Sequence, residues 1–317
     1  MSFKDDLAQH LDGQDLVRGM RHQIANEFDT IGKAEPVKPS RKKRIPKIPD
    51  LPRHLVIPDT QIKPEVPTVH LEWIGQYIVD AFAGDDLTII HLGDHWDMPS
   101  LSSYDQGKIH MEGRRIAQDI IAGNRGFDLL NAPLAAYNQS KRKKWEPRRV
   151  FLLGNHENRI TRAIEQTAQL DGLLSLDLLN ATAHGWEVHP FLEVVEIDGV
   201  SYSHYFYNQL SGRPYGGMNV ETRLKTIGRS FTMGHQQVLL YGVRSLISGM
   251  QHGLVAGSCY LHDEFYRGPQ GNAEWRGIVV CNQVEDGSYD PTFVSLDYLC
   301  RRYEGMRLSE FIEKHVE

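Results

Sequence analysis

The feature that most constrains this chain is a recurrence at the ends of short apolar runs. HLVI at 54–57 leads through Pro58 to Asp59-Thr60-Gln61, and TIIHL at 88–92 runs into Gly93-Asp94-His95-Trp96-Asp97. RVFLL at 149–153 runs into Gly154-Asn155-His156-Glu157, SFTM at 230–233 into Gly234-His235-Gln236-Gln237, and VSYS at 200–203 into His204. Runs of this length, rich in Val, Ile, Leu and Phe, read as buried strands. Metal-competent side chains thus follow five strands, at the end where the loops of an α/β protein converge over a rigid sheet. In extended backbone, residues i and i+2 point the same way. Asp59 and Gln61 can therefore face one ion together, as can His235 and Gln237. A glycine before Asp94, Asn155 and His235 lets the backbone turn sharply and lie close to an ion.

Between these runs the period changes. Val69, Trp73, Tyr77, Ile78 and Phe82 predict a helix over 68–82, residues 112–137 read as one or two helices, and 158–180 looks helical. From about 186 the texture is β-rich (FLEVVEI, VSYSHY, SFTMGH, LVAGS, GIVVC, TFVSL), with Gly-rich turns and a helix at 219–228. A βαβ first half with a strand-rich second half predicts an α/β fold: a central two-sheet β-sandwich flanked by helices. The sequence contains no internal repeat and no low-complexity tract.

Residues 1–53 read as a separate N-terminal arm, and 54–317 as the folded domain. Leu16, Met20, Ile24 and Phe28 form a narrow stripe over Asp15 to Phe28. Residues 36–53 combine five prolines with seven Lys or Arg, a density that blocks helix interiors and sheet ladders. The 317 residues carry a formal charge of -6, so attraction to nucleic acid has to come from local patches. The three cysteines, Cys259, Cys281 and Cys300, form neither a CxxC pair nor a disulfide framework. The charged start, MSFKDDLAQHLDG, lacks the apolar core of a signal peptide. No apolar run approaches the ~18–20 residues of a membrane span. These features fit a cytoplasmic protein with no membrane contact, and a virus-encoded protein acting in a host cytoplasm would look the same.

The order D-x-Q, GDxxD, GNHE, H, GHxQ over roughly residues 54–240 resembles the calcineurin-like metallophosphoesterases, most specifically in GDxxD and GNHE. The resemblance implies a four-layer sandwich holding two metal ions. Asp94 would bridge both ions; Asp59, Gln61 and Gln237 would face the first; Asn155, His204 and His235 would face the second. His156 would sit beside the leaving group as its acid, with Asp97 orienting its neighbours. The implied activity is metal-dependent hydrolysis of phosphate esters.

The sequence departs from the family pattern where Gln61 and Gln237 stand in place of histidine, both on the first ion. Oxygen donors suit Mn or Mg there, while the Asn155, His204 and His235 set accommodates Mn, Fe or Zn. The run KRKKWEPRR at 141–149 places six basic residues around Trp145, and 38–47 is also basic. Both suit a DNA or RNA backbone, and both also read as solvated surface. The stretch 257–280 resembles, more loosely, the closing segment of phage and bacterial nuclease-like phosphoesterases. Its Tyr260, Phe265, Tyr266 and Trp275 suit either base stacking or sheet-edge packing. Arg159 reads either as a phosphate ligand or as a salt bridge at a helix start, and His95 as facing either substrate or solvent. His91 reads as structural, and His252 and His262 as surface or supporting residues. The favoured substrate is a nucleic-acid or nucleotide phosphodiester. The alternatives are a phosphomonoesterase and a metal-poor binding scaffold.

Overall fold

The computed structural model describes residues 51–105, 107–264 and 267–315, together with Arg18. The expected arm, with its stripe at Asp15 to Phe28 and its basic stretch 38–47, therefore lies outside the described residues, Arg18 and 51–53 apart. Phe265 and Tyr266 lie outside them as well.

The fold is mixed α/β with two main sheets. In the first, four parallel strands lie side by side: β1 (Arg53–Ile57), β2 (Leu87–His91), β3 (Arg148–Leu152) and β4 (Glu187–His189). In the second, β6 (Val200–Ser203), β9 (Phe231–Met233) and β11 (Gly249–Ala256) are parallel. That sheet is edged by the antiparallel strands β5 (Val195–Ile197) and β10 (Leu239–Leu246). The strands β12 (Gly277–Glu285) and β13 (Ser288–Ser295) form an antiparallel pair that completes the first sheet beyond β1. A small hairpin joins β7 (Tyr207–Asn208) to β8 (Arg213–Pro214).

The period-2 alternation of the strands decides what each face buries. Leu55 and Ile57 of β1, Ile89 of β2 and Phe151 of β3 point to one side. There they pack with Leu71, Ile74 and Ile78 of helix α1 (Val69–Phe82) and with Phe127 and Leu130 of helix α2 (Ile116–Gln139). Val56, Ile90 and Val150 point to the other side and share a cluster with Val195, Val200, Tyr202 and Leu254 of the second sheet. On the second sheet's other face, Phe231, Met233 and Val255 pack with Val220 and Leu224 of helix α4 (Val220–Ile227).

One sequence expectation is corrected. Residues 158–180 do not form one helix. Helix α3 stops at Gln166 (Asn158–Gln166), and the chain continues through short 3-10 turns at Ala168–Leu170 and Leu176–Leu178. The Leu-rich spacing there reflects Leu174 and Leu179 dropping into the core from irregular backbone, and Gly172 at φ +78° reverses the chain. Residues 112–137 hold a single helix despite Gly123, Gly126 and Pro133, because these glycines mark close packing rather than a break. Sequence reasoning also missed the long edge strand β10 and the closing helices, of which Leu296–Glu304 and Leu308–His315 are the last two.

Candidate metal centre

The parallel strands β1, β2 and β3 deliver their C-terminal loops to one edge of the first sheet, and β6 and β9 deliver theirs to the facing edge of the second. The two edges are bonded together. The amide of Cys259 donates to the Asp59 carbonyl (2.8 Å), and the amide of His235 donates to Asp59 Oδ1 (3.0 Å). Across this seam, Asp94, His204 and His235 bring one ligand atom each to within 4.8 Å of one another.

The loops that do this are held in unusual backbone. Among the ten described non-glycine residues with positive φ are Gln61 (+44°), Asp94 (+51°), His235 (+66°) and Gln237 (+57°), all expected ligands. Left-handed backbone at such residues costs on the order of 1–3 kcal/mol each and persists where the surroundings impose it. At Asp94 it is Glu157 that imposes it. Its fully buried carboxylate accepts from four backbone amides, those of Asp94 (3.0 Å), His95 (2.7 Å), Trp96 (2.9 Å) and Gly154 (2.8 Å). Burial and the nearby Asp94 charge push the Glu157 carboxyl up to about 7, against the pull of those donors. The adjoining Gly154 has to be glycine, since a Cβ there would stand 2.1 Å from Asp94 Oδ1.

At the expected second ion site, His204 is fully buried and its Nδ1 donates to the Leu92 carbonyl (2.7 Å). This leaves Nε2 as the ligand atom, the usual support for a metal-binding imidazole. That Nε2 lies 2.9 Å from Asn155 Oδ1 and 3.4 Å from Asp94 Oδ2. Burial alone would push His204 down, but the charges of Asp94 and Asp59 lift it to about 9. Its proton therefore stands where oxygen atoms call for a cation. His235 is pushed down to about 4 by burial and by His204, so it is neutral and able to ligate at neutral pH.

At the expected first ion site, Asp59 Oδ1 accepts from the His235 amide (3.0 Å), while its buried Oδ2 has no partner. Burial and Asp94 raise this carboxyl to about 6. Gln61 is buried with both amide atoms unpartnered. An orphaned carboxylate oxygen and an orphaned amide two residues apart fit an oxygen-coordinated divalent ion. Gln237 differs, because its Oε1 already accepts from the Tyr260 hydroxyl (3.0 Å) and from Arg267 Nη1 (3.0 Å).

His156 lies at the rim. Its Nδ1 is 2.7 Å from Asp97 Oδ1, and its Nε2 is 3.7 Å from Asp94 Oδ2 and 3.1 Å from Arg159 Nη2. Burial opposes its charge, but Asp94 and Asp97 prevail and raise the ring above its ordinary value. Asp97 is held in turn by Lys63 (3.0 Å), whose ammonium also reaches Glu264 (2.7 Å). Burial disfavours the Asp97 charge, yet His156 and Lys63 keep it well below the usual carboxylate range. Sequence reasoning gave no role to Lys63, Glu157, Glu264 or Arg267. Lys63 lies two residues past Gln61, on the side that faces the site, which is the one signal that was present.

Several expected residues fall elsewhere. His95 faces neither substrate nor solvent: it is fully buried, with Nδ1 on the Thr60 hydroxyl (2.7 Å) and Nε2 on the Gly123 carbonyl (2.9 Å). Arg159 spans the loop after β2, donating to the carbonyls of Asp97 (2.7 Å) and Met98 (3.2 Å). His91 is structural, sandwiched among His95, Phe127 and Phe151. His252 bonds Tyr241 (2.7 Å) within the second sheet, and His262 supports Glu264 (2.7 Å). Tyr260 is fully buried, so it presents no free face for base stacking, and Trp275 packs on Gly257 and Gly277. The run 141–149 leads into the start of β3, at the opposite end of the strand from Asn155 and His156. There Trp145 is anchored to the Asp85 carbonyl (3.0 Å) and Arg148 to Glu187 (2.8 Å).

Among the described residues no helix is long and apolar enough to cross a membrane. No known family model matches this chain, and no curated protein matches it.

Proposed function

We propose that this chain is a calcineurin-like metallophosphoesterase that hydrolyses phosphate esters, with a nucleic-acid or nucleotide phosphodiester as the favoured substrate. The observation that carries the reading is the set Asp59, Asp94, Asn155, His204 and His235, drawn from five strand ends into one seam rich in buried carboxylate. The alternating helix and sheet clusters are compatible with the four-layer sandwich of that family.

In this reading Asp94 would help to hold both ions. Asp59 and Gln61 would offer hard oxygens to the first ion, for which Mn or Mg is suited, and Asn155, His204 and His235 would hold the second, for which Mn, Fe or Zn is suited. When bound, two such ions supply Lewis acidity toward the phosphoryl oxygens and lower the pKa of a water. The protein supplies the rest. Asp97 fixes the His156 ring through Nδ1 and favours its charged form, so Nε2 carries a proton that it can give to the departing alkoxide. Lys63 holds Asp97 in place. Arg159 steadies the loop that carries Asp97 and lies beside His156 Nε2, where the leaving group departs.

The test is a comparison in Mn(II) of bis-p-nitrophenyl phosphate, p-nitrophenyl phosphate and single- and double-stranded DNA. Hydrolysis of the diester and of DNA is expected. Turnover of the monoester alone would redirect the reading to a phosphomonoesterase, and inactivity on all four with no metal bound would leave a scaffold. His156→Ala should lose about 10²- to 10⁴-fold in turnover while keeping its metal, the loss expected for a general acid. Asp94→Asn should lose metal at both positions, as elemental analysis would read.

A further inference from the structure

We propose that Arg267 recognises a second, non-scissile phosphate of a nucleotide-chain substrate beside the metal centre, an assignment that rests on the phosphoesterase reading above. Nη1 of Arg267 donates to Gln237 Oε1 (3.0 Å) and lies 3.1 Å from the Tyr260 hydroxyl, which itself donates to Gln237 Oε1 (3.0 Å). Tyr260 is fully buried and Gln237 nearly so. The triangle fixes one corner of the guanidinium and leaves its Nε and Nη2 without an acceptor among the described residues.

That free edge is chemically specific. A guanidinium offers five N–H donors in a rigid plane, and the Nε/Nη2 side matches two oxygens of one phosphate. The neighbouring arginines are already engaged. Arg159 is held by the carbonyls of Asp97 and Met98, Arg276 by Asp263 (2.8 Å), and Arg223 by the carbonyl oxygens of Gly217 and Gln236. Arg267 has no carboxylate partner among the described residues.

The backbone that presents it is tethered. Lys63 grips Glu264 (2.7 Å), and the Asn272 amide donates to the carbonyls of Glu264 (2.9 Å) and Gly268 (3.0 Å). Arg267 shares no contact with Arg159. It approaches from the Gln237 side, whereas the leaving group departs at His156. An anion held by Arg267 therefore belongs to the part of the substrate that remains when the leaving group departs. A simple aryl diester has no second anion, whereas a nucleotide chain carries one per residue.

The experiment uses the full chain in Mn(II) with a thymidine dinucleotide and its 5′-phosphorylated form, comparing wild type, Arg267→Gln and Arg267→Lys. The wild type should favour the phosphorylated dinucleotide in kcat/KM by about 10- to 100-fold, the span of a charge-assisted pair. Arg267→Gln should collapse that ratio toward one through KM, and Arg267→Lys should restore part of it. A ratio that survives in Arg267→Gln, or that is absent in the wild type, overturns the assignment while bis-p-nitrophenyl phosphate turnover leaves the phosphoesterase reading standing. If the wild type hydrolyses no ester, calorimetric binding of the two dinucleotides in Ca(II) decides. A wild-type preference for the phosphorylated form that Arg267→Gln abolishes sustains the Arg267 site, and equal binding rejects it.

Discussion

Glu157 shows how much of this centre is built by a residue that would touch no ion. A carboxylate has four lone-pair positions, and here four backbone amides from two loops fill them. Asp94 and His95 can hold their loop conformation because their amides have somewhere to point. Glu157→Gln replaces one oxygen by an NH₂ that turns its hydrogens toward N–H groups. Leaving two buried amides unsatisfied should cost about 2–4 kcal/mol in urea unfolding. It should also weaken metal binding, because Asp94 Oδ1 accepts from the His156 amide (2.9 Å) in the same corner. Wild-type stability in this variant would show that the carboxylate is not the anchor. The motif GNHE was plain in the sequence, but the work of its last residue was not, because its partners are backbone groups brought together only by the fold.

The elements were legible where their chemistry is periodic, and obscure where close packing set the residue. β1, β2 and β3 begin and end within a residue or two of the apolar runs that predict them. Helix α2 was harder, since Gly123, Gly126 and Pro133 look like breakers. Its course follows from contacts at a distance. A Cβ at Gly123 would lie 1.9 Å from Trp96 Cδ1, and one at Gly126 would lie 3.1 Å from Leu71 of α1. Trp96 sits in the loop that carries Asp94 and Asp97, fully buried, with its indole N–H on Asn124 of the same helix (2.9 Å). Helix α2 thus clamps the metal loop from behind. Gly123→Ala gains about 1 kcal/mol of helix propensity. Against that, a rigid indole has nowhere to move, and overpacking of this kind costs about 1–3 kcal/mol or more. The variant should be less stable than the wild type and should change its near-ultraviolet circular dichroism. A stabilised Gly123→Ala protein would mean that α2 does not press on Trp96.

At the scale of the whole molecule, the site is a buried excess of negative charge inside a chain of formal charge -6. Asp59, Asp94, Asp97 and Glu157 are all buried, and within the seam the proton on His204 is the nearest compensation that an ion would replace. The linkage has a definite sign. His204 is raised in the folded protein to about 9 from 6.5, so its stabilisation is complete below pH 6.5 and is lost as pH rises toward 9. Asp59, raised to about 6, and Glu157, raised to about 7, work in the same direction at lower pH, and their cost is reached by pH 7. His235, lowered to about 4, removes stability only as pH falls below 6.5. Between pH 7 and 9 the His204 proton therefore dominates. The chelated protein should lose up to about 3 kcal/mol across pH 6.5–9, because each tenfold change in proton affinity on folding is worth roughly 1.4 kcal/mol. Mn(II) competes with that proton for Nε2, so its affinity should climb over the same window. The rise in Tm on adding saturating Mn(II) should accordingly be larger at pH 8.5 than at pH 6.5. His204→Gln, which has no proton to displace, should flatten that dependence. An equal Mn(II) increment at both pH values in the wild type would mean that His204 and the ion do not share one position.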